Sequence, residues 1–129
     1  MPFQRETVDA PGAPAAVGAY SHAVKAGDLL YCSGQVALDA SSGELVGDTP
    51  GEQARKCLEN LTKVCEAAGT SLDRAVRCSV YLTDLPGAWA EVNEVYASFF
   101  PGDPPARAAI GVAALPKGAQ VEVDAIVAL

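Results

Sequence analysis

The sequence predicts an α+β domain in which a mixed β-sheet of about six strands carries two α-helices on one face. Two observations predict the elements: apolar residues recur every three or four positions in two long segments, and they alternate with polar residues in several shorter ones. The third observation is size, because 129 residues that are 50% hydrophobic suffice for a single domain with its own core. Two helices can shield one face of such a sheet and not both.

The first helix is predicted to begin at residue 50 and to end at Gly69. Thr49 is an N-cap residue, Pro50 suits the first helical position, and Glu52 completes a capping box. Glycine at 69 is typical of a helix end, where the chain adopts a left-handed conformation. One apolar face follows from the helical spacing of Ala54, Cys57, Leu58, Leu61, Val64, Cys65 and Ala68.

The second helix is predicted to begin after Asp84 and to end before Pro101, which cannot continue the helical hydrogen bonding. Its apolar residues are again three or four positions apart. They are Leu85, Trp89, Val92, Val95, Tyr96 and Phe99.

Four strands are located by alternation of apolar and polar residues, the pattern of a half-buried strand. They cover residues 29–34, 76–82, 106–112 and 121–129. In the second of these strands, the alternating apolar residues are expected to face the helices. They are Val76, Cys78, Val80 and Leu82. In the last strand, Glu122 and Asp124 share the face opposite to the valines.

With these strand phases, Ser33, Arg107 and Glu122 project from the face that the helices leave uncovered. The same face also carries large apolar residues, among them Tyr31 and Ile126. Because a contiguous apolar face is rarely left in water, we expect a partner subunit to cover it.

The charge balance excludes several classes of protein. Nine basic against sixteen acidic side chains give a net charge of -7, which argues against a general nucleic-acid binder. No apolar run approaches the ~20 residues that span a bilayer, and the first residues lack the layout of a signal peptide. We therefore expect a cytoplasmic protein without a membrane partner.

The cysteines and the single histidine, His22, give no metal-binding pattern, so neither a metal site nor a disulfide framework is expected. Buried free thiols are the expectation for all four cysteines. Cys32 retains a second hypothesis as a nucleophile because it precedes Ser33, although we expect Cys32→Ala to keep activity. His22 is expected to be an exposed or hydrogen-bonded side chain rather than a catalyst. The cysteines are Cys32, Cys57, Cys65 and Cys78.

Two charged residues are the candidates for chemistry. Arg107 follows a stiff pair of prolines and has small neighbours, so its guanidinium could bind a carboxylate through two parallel hydrogen bonds. A salt bridge to Glu122 or Asp103 that only stabilises the fold is equally compatible with the spacing. Glu122 lies between apolar residues, which would raise its pKa and suit proton transfer. The alternative interpretation is that Glu122 is an ordinary solvated residue of an edge strand.

Several short motifs follow one another in a fixed order along nearly the whole chain. They are residues 13–21 (APAAVGAYS), 31–35 (YCSGQ), 53–61 (QARKCLENL), 66–69 (EAAG), 80–85 (VYLTDL), 92–96 (VNEVY), 105–107 (PAR) and 115–122 (LPKGAQVE). In this order they resemble the RidA (YjgF-type) family.

The resemblance implies a chorismate-mutase-like fold and a homotrimer whose sheets form an inner barrel, with clefts between neighbouring subunits. It also implies hydrolysis of reactive 2-enamine and 2-imino acids, such as 2-aminoacrylate and 2-aminocrotonate, to 2-keto acids and ammonia. No cofactor and no metal are implied. By position, Arg107 would bind the substrate carboxylate and Glu122 would position or activate the attacking water.

The resemblance also assigns residues that bind the substrate. They are Tyr20, Ser33, Gly34, Asn93 and the backbone around Ala109. The chain departs from many members at two places: Ala109 replaces a cysteine, and His22, which would lie near the mouth of the cleft, replaces a glutamine. Either change could alter the substrate without altering the fold.

Three other functions stay open on the sequence alone. The same site could act on a larger enamine or imine from a specialised pathway. Alternatively, the trimer could bind a carboxylate metabolite or a partner protein without turnover. RNA cleavage is the least favoured alternative because the chain is acidic.

Overall fold

The computed structural model describes residues 4–129, which form six strands, two α-helices and two short 3₁₀ turns. The strands and helices in chain order are β1 (Glu6–Val8), β2 (Ala23–Ala26), β3 (Leu29–Gln35), α1 (Pro50–Ala67), β4 (Ala75–Leu82), α2 (Leu85–Phe99), β5 (Ala106–Gly111) and β6 (Val121–Ala128). The 3₁₀ turns are Leu72–Arg74 and Pro116–Gly118. Neither α-helix of this part of the chain is long and apolar enough to cross a membrane.

All six strands form one mixed sheet in the order β1-β2-β3-β6-β4-β5. Only β4 and β5 pair in parallel, and the other neighbours are antiparallel. The connection from β3 to β4 through α1 and the connection from β4 to β5 through α2 both advance in the same direction across the sheet. Right-handed crossovers of this kind place both helices on one face. The predicted α+β class, with two helices on one face of a mixed sheet, is therefore confirmed.

Both helices have N-caps, and the cap of α1 is the one predicted from the sequence. The Thr49 hydroxyl accepts the N–H of Glu52 at 3.2 Å, and the carboxylate of Asp84 accepts the N–H of Gly87 at 3.2 Å. At the end of α1, Gly69 has φ +86° and donates to the carbonyl of Glu66, which is the geometry expected of a glycine after a helix.

The core lies between α1 and the central strands β3, β6 and β4. All seven residues of the predicted α1 face are buried, and so are the three valines of β6. Each large apolar side chain buried in this way contributes about 1.5–3 kcal/mol. The hydrophobic periodicity of α1 and β6 therefore predicts the core correctly.

The prediction for β4 is wrong at Val76, which is 49% exposed instead of facing the helices. Its neighbour Ala75 pairs with Val127, but Arg77 pairs with Ile126, so β4 advances two residues where β6 advances one. Val76 is the extra residue of a β-bulge, and the alternation of the strand begins only after it.

Candidate functional site

A cleft of about 300 Å³ opens beside Glu122, near the start of β6. Its walls are mainly apolar and come from the loop before β2, from the segment after β3 and from Pro116. Polar groups enter it from Tyr20, Ser33, Lys117 and Glu122. A largely apolar cavity with a few polar groups is typical of a small-molecule site.

Ser33 and Gly34 reach this cleft because they lie in a β-bulge of β3. The pairing with β6 advances three residues in β3, from Cys32 to Gln35, while β6 advances two. Such bulges redirect side chains and often occur next to active sites. The Ser33 hydroxyl donates a hydrogen bond to the carbonyl of Ser21 at 2.6 Å, which fastens the bulge to the loop before β2.

Gly34 allows the carboxyl group of Glu122 to lie directly against the backbone of β3. A Cβ atom at position 34 would be 2.8 Å from Cδ of Glu122 and closer still to Oε2. Cβ atoms do not approach other atoms so closely, so any residue other than glycine at this position would displace the carboxyl group of Glu122. The strand contact therefore fixes where the Glu122 carboxylate lies in the cleft.

Glu122 is half-buried, and this burial raises its pKa above the ordinary value of a glutamate. The negative charge of Asp124 on the same face of β6 raises the pKa further. Asp124 itself accepts a hydrogen bond from the Tyr81 hydroxyl at 3.2 Å. A carboxyl group with a raised pKa can exchange protons closer to neutral pH.

The loop before β2 forms one wall of the cleft and is held by His22. Nδ1 of His22 accepts the N–H of Ala10 at 2.9 Å, and Nε2 lies 2.8 Å from the carbonyl oxygen of Pro14. These partners select the tautomer with its hydrogen on Nε2. The expectation that His22 lies near the mouth of the cleft is wrong, because the ring is buried behind the wall that carries Tyr20.

Arg107 lies on the other side of the sheet, against α2. Its register partner in β4 is Cys78, which is fully buried and faces the helices. Nη1 of Arg107 donates to Oδ1 of Asn93 at 2.8 Å. Cζ lies 4.6 Å from the ring centroid of Trp89 and 4.8 Å from that of Tyr96. A separate cavity of about 370 Å³ opens beside this group.

The expectation that Arg107 shares the uncovered face with Ser33 and Glu122 is therefore wrong. β5 is an edge strand, and Ile110, which faces away from Arg107 across this strand, is 45% exposed on the uncovered side. The alternation of apolar residues does not predict the orientation of β5, because the uncovered face is also apolar and because aromatic rings of α2 attract the guanidinium. Ala109, paired with Val80, faces the helix side together with Arg107.

Sequence reasoning missed the part that Trp89 and Tyr96 take in this site, since both were assigned to the apolar face of the helix. A signal was present in their spacing. Trp89, Asn93 and Tyr96 are four and three residues apart, so they lie along one face of α2. An asparagine between two aromatic residues on one helix face is the pattern that could have indicated the site.

The four cysteines are free and buried, as the sequence predicted. Cys32 lies in the core, where a hydrogen bond with Cys65 and burial raise the pKa of its thiol. A thiol in this state is a poor nucleophile, so the structure does not favour a catalytic Cys32. Across residues 4–129, no cluster of three or more His, Cys, Asp or Glu side chains could hold a metal ion.

The chain is similar to known proteins over nearly its whole length. A family model described as Endoribonuclease L-PSP matches residues 10–129. A RutC family protein of Sinorhizobium fredii is 48% identical over 124 residues, which are 96% of this chain and 98% of the relative. A 2-iminobutanoate/2-iminopropanoate deaminase of Mus musculus is 45% identical over 122 residues, which are 95% and 90% of the two chains. The crystal structure of RidA from an Antarctic Psychrobacter has a TM-score of 0.91 at 45% identity, covering 96% and 99% of the two chains.

Proposed function

Because the chain belongs to the RidA (YjgF-type) family, we propose that it hydrolyses small 2-imino and 2-enamine acids to 2-keto acids and ammonia. The observation that carries the proposal is the half-buried Glu122, held against Gly34 in an apolar cleft with its pKa raised. The mammalian relatives named 2-iminobutanoate/2-iminopropanoate deaminase support the substrate class.

Arg107 is the group that recognises the substrate carboxylate. A guanidinium binds a planar carboxylate through two parallel hydrogen bonds, which fix orientation as well as position. Asn93 holds one end of the guanidinium at 2.8 Å. Ala109, two residues further along β5, leaves space on the same side of the strand for the remainder of the substrate.

Glu122 is the group that moves protons. The imine carbon next to the carboxylate is electrophilic, and water adds to it while the deprotonated Glu122 accepts a proton from that water. Glu122 passes that proton to the imine nitrogen, which gives the carbinolamine. The carbinolamine hydroxyl then gives its proton to Glu122, which delivers it to the amino nitrogen as the C–N bond breaks, so that ammonia leaves and the 2-keto acid remains. An enamine first takes a proton on its terminal carbon to become the imine. Orientation and proton transfer suffice for this reaction, so no covalent nucleophile is required.

The two groups act together only where two copies of the chain meet. Glu122 lies in the cleft on one side, and Arg107 lies against α2 on the other. The uncovered face of the sheet supports association, because Tyr31 is 46% and Ile110 is 45% exposed on it. We propose the homotrimer that the family resemblance implies, with the α2 edge of one subunit facing the cleft of the next.

The proposed activity is tested by coupling a serine or threonine dehydratase to the protein and following imine decay and keto-acid formation. Wild type is expected to accelerate both, whereas Arg107→Ala is expected to lose at least about 10²-fold in kcat/KM. No acceleration by wild type, or equal acceleration by Arg107→Ala, would contradict the proposal. A keto acid that binds at Arg107 without any turnover would instead support a binding protein.

Other substrates separate the remaining alternatives. Imines of increasing side-chain size show whether the site acts on a larger, specialised substrate. An RNA substrate tests the activity in the description of the family model, and the net charge of -7 argues against it.

A further inference from the structure

The guanidinium of Arg107 lies between two aromatic rings of α2. Trp89 and Tyr96 are seven residues apart, which corresponds to about 10 Å along a helix axis. The guanidinium carbon is 4.6 Å from one ring centroid and 4.8 Å from the other, so it is close to midway between them. Asn93 lies between the two rings on the same helix face and binds Nη1 at 2.8 Å.

This arrangement restricts how Arg107 can be approached. The two rings and Asn93 hold the guanidinium on the side that faces α2, so a ligand reaches it from the cavity on the other side. Asn93 occupies one N–H group of the guanidinium. The remaining N–H groups can donate two parallel hydrogen bonds to a carboxylate that lies in the plane of the guanidinium.

Tyr96 contributes its ring rather than its hydroxyl. The side chain is 4% exposed, and its hydroxyl lies in the core close to the thiol of Cys78. The ring centroid is 4.8 Å from the guanidinium carbon of Arg107, so the ring is the part of Tyr96 that Tyr96→Phe would keep beside Arg107.

We propose that Trp89 and Tyr96 are positioning residues that hold the guanidinium of Arg107 beside α2, with N–H groups left free to bind a planar carboxylate. The inference rests on the proposed function for the identity of the ligand, since it assigns Arg107 to the carboxylate of a 2-imino or 2-keto acid. The contact of Arg107 with the two rings is a property of the free protein and can be measured without any activity.

The chain offers a matched control on the same helix. Phe99 also lies near a guanidinium, that of Arg55, but with a centroid distance of 5.8 Å and away from the cavity beside Arg107. Phe99→Leu removes an aromatic ring from α2 without touching the proposed site. It is expected to leave KM unchanged.

The test compares Trp89→Leu, Trp89→Phe, Tyr96→Leu and Tyr96→Phe with Phe99→Leu. We expect the two leucine variants to raise KM and to weaken binding of 2-oxobutanoate about five- to tenfold, the loss of about one cation–π contact. Because the carboxylate does not react, kcat should change less than KM. Each phenylalanine variant keeps an aromatic ring and should bind 2-oxobutanoate more tightly than the leucine variant at the same position. Circular dichroism and light scattering confirm that each variant keeps the fold and mass of wild type.

A spectroscopic readout separates this inference from the proposed function. Ring currents shift the side-chain NMR resonances of Arg107 in wild type, and the shift should shrink in both leucine variants but not in Phe99→Leu. If wild type hydrolyses no imine while these shifts and the 2-oxobutanoate affinities behave as expected, the deaminase proposal fails and the positioning inference stands. Wild-type affinity in Trp89→Leu, or equal losses in Tyr96→Phe and Tyr96→Leu, would overturn the inference. Trp89 is partly exposed, so Trp89→Leu remains informative if Tyr96→Leu does not fold.

Discussion

Arg107 and Glu122 project from opposite faces of the same β-sheet. Arg107 pairs with Cys78 of β4, and Glu122 pairs with Tyr81, three residues further along that strand. Side chains three apart in a strand point to opposite faces. On the proposed function, a small substrate can therefore touch both groups only at a junction between two copies of the chain.

Mixed assemblies of two inactive variants should recover activity. Arg107→Ala keeps Glu122, and Glu122→Gln keeps Arg107. A junction is therefore complete when the Arg107→Ala subunit supplies the cleft and the Glu122→Gln subunit supplies the α2 edge. If equal amounts are unfolded together and refolded, random assortment gives about one quarter of the wild-type sites. The coupled imine-decay assay measures the recovery.

Each variant refolded alone serves as the control and should stay inactive, while refolded wild type gives the reference activity. A mixture with no more activity than its components would place both groups in a site within one chain and contradict the shared cleft.

The pH dependence of the reaction should follow the environment of Glu122. The residue acts when deprotonated, so kcat/KM should fall as the pH falls through its pKa. The negative charge of Asp124 helps to raise that pKa, so Asp124→Asn should lower it and move the acid limb to lower pH. Glu66→Gln, which removes an exposed charge on α1, is the control and should leave the limb in place. An unchanged limb in Asp124→Asn would show that another group controls the rate.

The contact between Gly34 and Glu122 predicts a large effect of one methyl group. In Gly34→Ala the new Cβ would overlap the carboxyl group of Glu122, which must turn away from the backbone of β3. We expect a loss of at least about tenfold in kcat with the fold retained, because a misplaced catalytic group slows the chemical step. Gly12→Ala places its Cβ at an ordinary 3.7 Å from Lys63 and should keep full activity. Equal activities of the two variants would show that this contact does not position the carboxylate.

The long elements were predictable from the sequence because their signals agree with one another. In α1, the N-cap at Thr49, the apolar face and Gly69 all indicate the same helix, and the structure shows each of them. The strands β1 and β2 have three and four residues and were not located, since so short a stretch carries no distinct alternation. Their pairing depends on β3 rather than on their own residues.

The candidate site was predictable in its central strand and not at the edge of the sheet. β6 has neighbours on both sides and buries one face completely, so its alternation correctly placed Glu122 opposite the core. β5 has one neighbour, and neither of its faces is fully buried, so counting apolar residues cannot decide its orientation. Its orientation depends on the contact of Arg107 with α2, which is a tertiary interaction.

His22 should support the cleft through its two hydrogen bonds. His22→Ala removes the acceptor of the Ala10 N–H and the donor to the Pro14 carbonyl, and both groups lie in the loop that carries Tyr20. We expect a loss of about 2 kcal/mol or more in the free energy of unfolding, measured by urea denaturation, together with an increased KM. His22→Gln offers both a donor and an acceptor and should recover most of both quantities.

Thr70→Ala distinguishes an effect on the cleft from a general loss of stability. The Thr70 hydroxyl donates to the Ala128 carbonyl at 2.7 Å and does not line the cleft, so its removal should lower stability without changing KM. Thr70→Ala should lose stability and keep the KM of wild type. If His22→Ala behaved in the same way, the loop that His22 holds would have no part in binding the substrate. An increase of KM in His22→Ala alone would show that the buried hydrogen bonds behind the wall shape the cleft in front of it.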